Sequence, residues 1–203
     1  MYGLINKGIE DYILDHYGAK AWSQITLAAG VPNIQFISWE NYDDALSYRL
    51  FCEAATFLQV PREDLLRKIG KYWMKITAAE GYGEILHLFG RDFNNALLGL
   101  NSMHLRLGML MSKLRPPRFE VEFLSPTLIK LSYFSERPDL APMVMGMLEG
   151  LAERFQTAIE IELERKGEHN ISDRFFIRIL SSLLDKHTQD SSVSEADESA
   201  LLQ

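Results

Sequence analysis

The sequence has one cysteine, Cys52, so no disulfide framework can form, as in proteins of a reducing compartment. No stretch approaches the roughly 18 apolar residues of a membrane span. No secretory leader is evident either, because acids begin at Glu10 and no uninterrupted apolar region precedes them. Basic residues are outnumbered: 21 Lys and Arg stand against 28 Asp and Glu, a net charge of −7. That balance argues against nucleic acid or an anionic membrane as partner. A Gly-rich phosphate loop, a Ser-His-Asp arrangement and a paired-carboxylate site are all missing. His16, His87, His169 and His187 lack metal-ligand spacing. The expectation is a soluble, cytoplasmic protein.

What is present is ample core material. Of 203 residues, 47% are hydrophobic and 11% aromatic, enough for one sizeable domain. Leu4, Ile5, Ile9, Tyr12 and Ile13 recur at helical spacing over 2–17, with Gly18 after the end, and a second helix covers 19–29. Asp43 and Asp44 suit the start of a helix to 58, and Pro61 the first position of one to 76. A short helical stretch follows at 84–89. Asp92 then caps a long apolar helix, 96–114, stopped by Pro116 and Pro117.

Beyond the prolines the period changes. FEVEFL and TLIKLSYF alternate as strands of a hairpin turning at Ser125 and Pro126. A helix over 140–155 follows, in which Gly146 and Gly150, one turn apart, allow a close neighbour. TAIEIELE and RFFIRIL form a second hairpin around 166–168, with Glu160, Glu162 and Glu164 on its solvated face. The fold class is α+β: an N-terminal helical subdomain, then a helix-packed antiparallel sheet in β-β-α-β-β order. The domain spans 1–181, and the acidic, aromatic-free stretch 182–203 reads as a disordered tail.

His104 shares the buried face of the 96–114 helix with Leu97, Leu100, Leu107 and Met111, and no acid lies within a turn. Taken alone, it is a core histidine bonded to a carbonyl. A neutral imidazole on an apolar helix face is also how haem iron is commonly held. Tyr133, Ser135 and Arg137 follow in a Y-x-S-x-R pattern, which at period two aims three polar groups off one strand face. Two hydroxyls and a guanidinium can hold a pair of carboxylates, such as haem propionates. The alternative is the wet end of a strand. With no Cys-x-x-Cys-His, any haem would be non-covalent.

His104, the LRPPRF after it, Y-x-S-x-R at 133–137 and LAPMVMGMLEGLAERF at 140–155 together resemble the haem nitric oxide/oxygen binding (H-NOX) family. MYGLINK at the start and GYGEIL near 81 fit the same pattern. The resemblance covers residues 1 to about 180. It implies haem b, ferrous and non-covalent, between the helical part and the sheet. It makes His104 the iron ligand, gives Tyr133, Ser135 and Arg137 the propionates, and presses Pro117 on the macrocycle. Ile5, Ile9, Trp73, Met143 and Met147 become the pocket walls. Oxygen-binding members carry a distal tyrosine where this chain has Pro142 or Met143, neither of which donates a hydrogen bond. The implied function is a sensor of NO and CO that discriminates against O2, not itself an enzyme. It would signal by breaking the Fe–His104 bond to a separate histidine kinase or cyclic-di-GMP enzyme. Trp73 carries an indole N–H, so an O2-binding sensor stays open, as does a haem-free binding module of the same fold.

Overall fold

The computed structural model describes residues 1–79, 90–167 and 171–182. The expected helix over 84–89, part of the second hairpin's turn and the tail from 183 lie outside the described residues. Helix α1, Gly3–Ala28, unites the two expected N-terminal helices across a kink at Gly18, whose φ of +80° favours a residue without a Cβ. In α2, Asp44–Leu58, the Asp43 carboxylate accepts the Ala45 N–H at 3.0 Å. Helix α3, Arg62–Ala79, starts directly after Pro61, with Glu63 and Asp64 against its positive end, and runs past the expected stop at 76.

Helix α4, Phe93–Leu110, opens on Asp92, which accepts the Asn95 N–H at 2.8 Å. It ends before the expected 114: Met111 leaves helical geometry, and the Leu114 N–H turns back to the Met111 carbonyl at 2.9 Å. Its outer face leaves Leu98, Leu105 and Met109 exposed. None of the described helices is long and apolar enough to cross a membrane.

The sheet comprises β1, Arg118–Ser125; β2, Leu128–Phe134; β3, Thr157–Glu164; and β4, Asp173–Ser182. Helix α5, Ala141–Arg154, lies between β2 and β3 in sequence. The strands run antiparallel in the order β1-β2-β4-β3, so the two hairpins join through β2 and β4, with Leu131 opposite Phe175 and Ile129 opposite Ile177. Those four side chains are fully buried in the core under α4 and α5. On the other face Glu160 stands opposite Arg178 and Glu164 opposite Arg174, and Glu160, Glu162 and Glu164 are all exposed, the solvated face expected of them.

A second core fills the helical half, around Ile9, Ile13, Leu50, Phe51, Leu66 and Ile69. The halves meet where α3 crosses α5 without side-chain padding. A Cβ on Gly70 would stand 2.1 Å from the Met143 carbonyl oxygen, and one on Gly146 1.9 Å from that of Arg67. Arg67 to Glu149 and Lys71 to Glu153 flank the crossing.

The edge of β1 is closed by α4. Asn101 Nδ2 donates to the Phe119 carbonyl at 2.7 Å, and its Oδ1 accepts the Phe119 N–H at 2.9 Å. Asn101→Ala would leave both backbone groups unpaired, and about 2 kcal/mol of stability is expected to be lost in urea unfolding. An unchanged midpoint would mean that water replaces both bonds.

Candidate functional site

Between the two halves lies a cavity in adjoining compartments of about 210 and 180 Å³. Both are bounded by Tyr2 and Ile5 at the start of α1, His104 on α4, Pro117 before β1, and Val144 and Met147 on α5. The larger compartment is otherwise apolar, walled by residues such as Trp73, Leu100, Leu107 and Leu148. The smaller opens toward Arg115, Tyr133, Ser135 and Arg137. One histidine in an apolar slot, with cationic and hydroxyl groups at one end, suits a flat hydrophobic group bearing carboxylates.

His104 is where the helical period puts it. Its Nδ1 lies 2.8 Å from the Leu100 carbonyl oxygen one turn back. A carbonyl only accepts, so Nδ1 carries the hydrogen and Nε2 keeps its lone pair. Nε2 has no hydrogen-bond partner among the described residues. A backbone carbonyl orienting one ring nitrogen while the other faces a metal is the usual support of a ligating histidine. Burial pushes the imidazole pKa below its ordinary value, against the smaller upward pull of the Leu100 bond. The ring is therefore neutral near pH 7 and able to ligate. The Phe119 ring lies beside it, centroids 5.6 Å apart.

The Y-x-S-x-R residues come together, though not as one strand face. Tyr133 is buried on β2, but the strand ends at Phe134, so Ser135 and Arg137 stand in the link to α5. Ser135 Oγ accepts the Arg137 N–H at 3.0 Å, a local turn that competes with strand pairing. Burial raises the Tyr133 pKa, partly offset by its hydrogen bond with Ser135, which keeps the phenol protonated as a donor.

Arg137 makes a bridge the sequence did not reveal. Its Nε donates to Asp44 Oδ2 at 2.9 Å and its Nη1 to the Arg115 carbonyl at 2.8 Å, with a longer 3.4 Å contact from Nη2 to Asp44 Oδ1. Asp44 also accepts from the Met1 ammonium. Burial would raise the Asp44 carboxyl, but hydrogen bonds and charge from Met1 and Arg137 outweigh it and hold the pKa low. A guanidinium has five N–H donors. Three are engaged here, and the remaining two can meet a carboxylate.

The other expected wall residues divide. Ile5, Pro117 and Met147 line both compartments, Trp73 the larger and Met143 the smaller. Ile9 lines neither: it is fully buried in the helical core beside Ile13 and Leu50. Helical periodicity marks Ile9 as inward-facing but cannot say which core it enters. Tyr2, absent from the expected set, accepts the Lys113 N–H at 3.2 Å and so ties α1 to the loop after α4. A residue at the edge of a helix gives no periodic signal. No cluster of three or more His, Cys, Asp or Glu that could hold a metal occurs among the described residues. The donor set is thus one imidazole, which fits an iron whose other ligands a macrocycle would supply. His104 would hold the iron, and Tyr133, Ser135 and Arg137 the carboxylates.

The family model described as "Haem-NO-binding" matches residues 2–163. The chain is 30% identical over 203 residues to soluble guanylate cyclase gcy-31 of Caenorhabditis elegans, spanning 99% of this chain and 29% of that one. It is 28% identical to the guanylate cyclase soluble subunit beta-2 of Rattus norvegicus over 68% of this chain and 22% of that one. It therefore spans less than a third of the length of these relatives. Among solved structures, the H-NOX protein from S. oneidensis in the Fe(II)NO ligation state superposes with a TM-score of 0.79 at 22% identity, covering 89% of this chain and 100% of that one. The Fe(II) unliganded H-NOX protein from K. algicida gives 0.76 at 19%, covering 90% and 98%.

Proposed function

The chain belongs to the haem-NO-binding family of haem-based gas sensors, and from that premise we propose that it is a ferrous-haem sensor of NO and CO that discriminates against O2. The observation that carries this reading is the His104 imidazole, with Nδ1 committed to the Leu100 carbonyl and Nε2 left for a metal in an apolar cavity. Haem b, when bound, supplies the iron that takes a diatomic gas. The chain supplies everything else. His104 would anchor the iron to α4, Pro117 would meet the edge of the slot, and the Arg137 guanidinium with the Tyr133 and Ser135 hydroxyls would hold the carboxylates.

Gas selectivity would follow from the walls. Bound O2 carries partial negative charge and gains from a hydrogen-bond donor in a dry site, whereas NO holds ferrous iron without one. Met143, Val144 and Met147 present only carbon and sulfur to the cavity. Pro142, beside Met143, is also buried and has no N–H. Trp73→Phe keeps the ring bulk and removes the indole donor. It is expected to leave O2 exclusion and NO binding unchanged. If the variant alone loses a ferrous-oxy spectrum, Trp73 serves as the donor and O2 is a ligand.

Signalling would start when His104 leaves the iron. The freed α4 is tied to β1 through Asn101 and to α1 through the loop bonded to Tyr2. A gas that favours one arrangement of these ties shifts the population toward it. The change would be read by a separate enzyme, a histidine kinase or a cyclic-di-GMP enzyme. The test is the absorption spectrum of the reduced protein, exposed in turn to air, CO and NO. A Soret band indifferent to air that moves to a five-coordinate nitrosyl position with NO is expected. A stable oxy spectrum would refute the selectivity, and failure to take up haem would refute the sensor.

A further inference from the structure

Away from the haem cavity, an open cleft of about 330 Å³ lies between the first half of α1 and α3. Its floor is aromatic: Tyr12 and His16 stack at 4.4 Å, and Tyr72 meets His16 edge-on at 5.3 Å. Its rim is basic. Lys68, Lys71 and Lys75, at offsets of three, four and seven, share one face of α3. Lys71 is bridged to Glu153 on α5, while Lys68 and Lys75 have no ion-pair partner among the described residues. Two ammonium groups without an ion-pair partner among the described residues, over a shallow aromatic floor, make an anion-attracting surface on a chain whose net charge is −7.

The same chain carries a matching anion. Between 185 and 198 it has Asp185, Asp190, Glu195, Asp197 and Glu198 against a single Lys186. This stretch lies outside the described residues, but its root is placed. Ser182, the end of β4, pairs with Thr157, four residues after the Glu153 that walls the cleft. At about 3.3–3.6 Å per residue, the eight residues from Ser182 to Asp190 span up to about 29 Å. The acids can therefore reach the lysines at the high effective concentration of an intramolecular partner.

We propose that the Lys68/Lys71/Lys75 cleft is the docking seat of this chain's own acidic segment, 185–198. An acidic surface on another molecule would reach these lysines only by displacing that segment.

Zero-length carbodiimide cross-linking of the full chain, read by peptide mass spectrometry at low protein concentration, tests the proposal. Links from Lys68, Lys71 or Lys75 to acids within 185–198 are expected within one molecule, at least tenfold above links from Lys20 or Lys113. They should fall away in 1 M salt, where the Debye length shrinks to about 3 Å. Equal yields at Lys20 and Lys113, or links only between molecules, overturn the proposal. A charge swap makes the test independent of one reagent's preferences. Lys68→Glu with Lys75→Glu should lower the yield at least tenfold, and adding Asp190→Lys with Glu195→Lys should restore links in the reversed sense. No restoration, with the circular dichroism spectrum unchanged, also overturns it.

Discussion

Replacing His104 with alanine is expected to reduce haem retention at least a hundredfold, so that the purified chain shows little Soret absorbance. The single-imidazole donor set makes the loss severe, since no other histidine among the described residues lines the cavity. Imidazole added to the medium should restore a six- or five-coordinate spectrum, because the slot and the Tyr133, Ser135 and Arg137 end are untouched. A variant that keeps its full haem complement without imidazole would refute the ligand assignment. The same residue carries a pH signature in the haem-free chain. Burial lowers the His104 pKa in the fold, so the unfolded chain takes up the proton first as pH falls below about 6.5. The neutral ring therefore costs nothing above that pH, and stability declines as pH drops through it. Urea midpoints at pH 7.5 and 5.5 should differ more in the parent chain than in His104→Ala.

Gly146→Val is expected to destabilise the fold by more than about 3 kcal/mol, enough to leave a marginal domain partly unfolded. Its Cβ would sit 1.9 Å from the Arg67 carbonyl oxygen, 2.8 Å from that carbonyl carbon and 2.9 Å from the Lys71 nitrogen. All three are backbone atoms of α3, so relief requires prising two helices apart across both cores. Gly108→Ala on α4 is the matched control. Nothing lies within 4 Å of its added Cβ. Helix propensity alone applies there, and about 0.5–1 kcal/mol of stabilisation is expected. Equal losses in the two variants would mean that glycine content rather than the crossing sets the cost.

The sequence revealed what depends on a local period. His104 faces inward because Leu97, Leu100 and Leu107 do, and the hairpins follow from alternation bounded by turn residues. Caps at Asp43 and Asp92 were readable because a side-chain oxygen two or three residues from a free N–H needs no tertiary partner. What depends on juxtaposition was not readable. Nothing in the chain pairs Asp44 with Arg137, 93 residues apart, and Asp44 reads simply as an acid in a first helical turn. Gly70 looks like a propensity defect in α3 until α5 is laid across it. The Y-x-S-x-R pattern mimics a strand to its last residue, yet the Ser135 hydroxyl captures the Arg137 N–H and ends the ladder early. The pairing of β2 with β4 is likewise a tertiary choice, because either hairpin could have placed its other strand inside.

Helix α4 is anchored along one edge by Asn101 and turns Leu98, Leu105 and Met109 outward, while α5 is clasped between α3 and the sheet. Local opening free energies follow such asymmetry. The amides of α4 should exchange with deuterium well before those of α5, over minutes rather than hours. The peptide bearing His104, the proposed iron ligand, would then be among the quickest to breathe. The haem's off-rate would be governed by that excursion rather than by global unfolding.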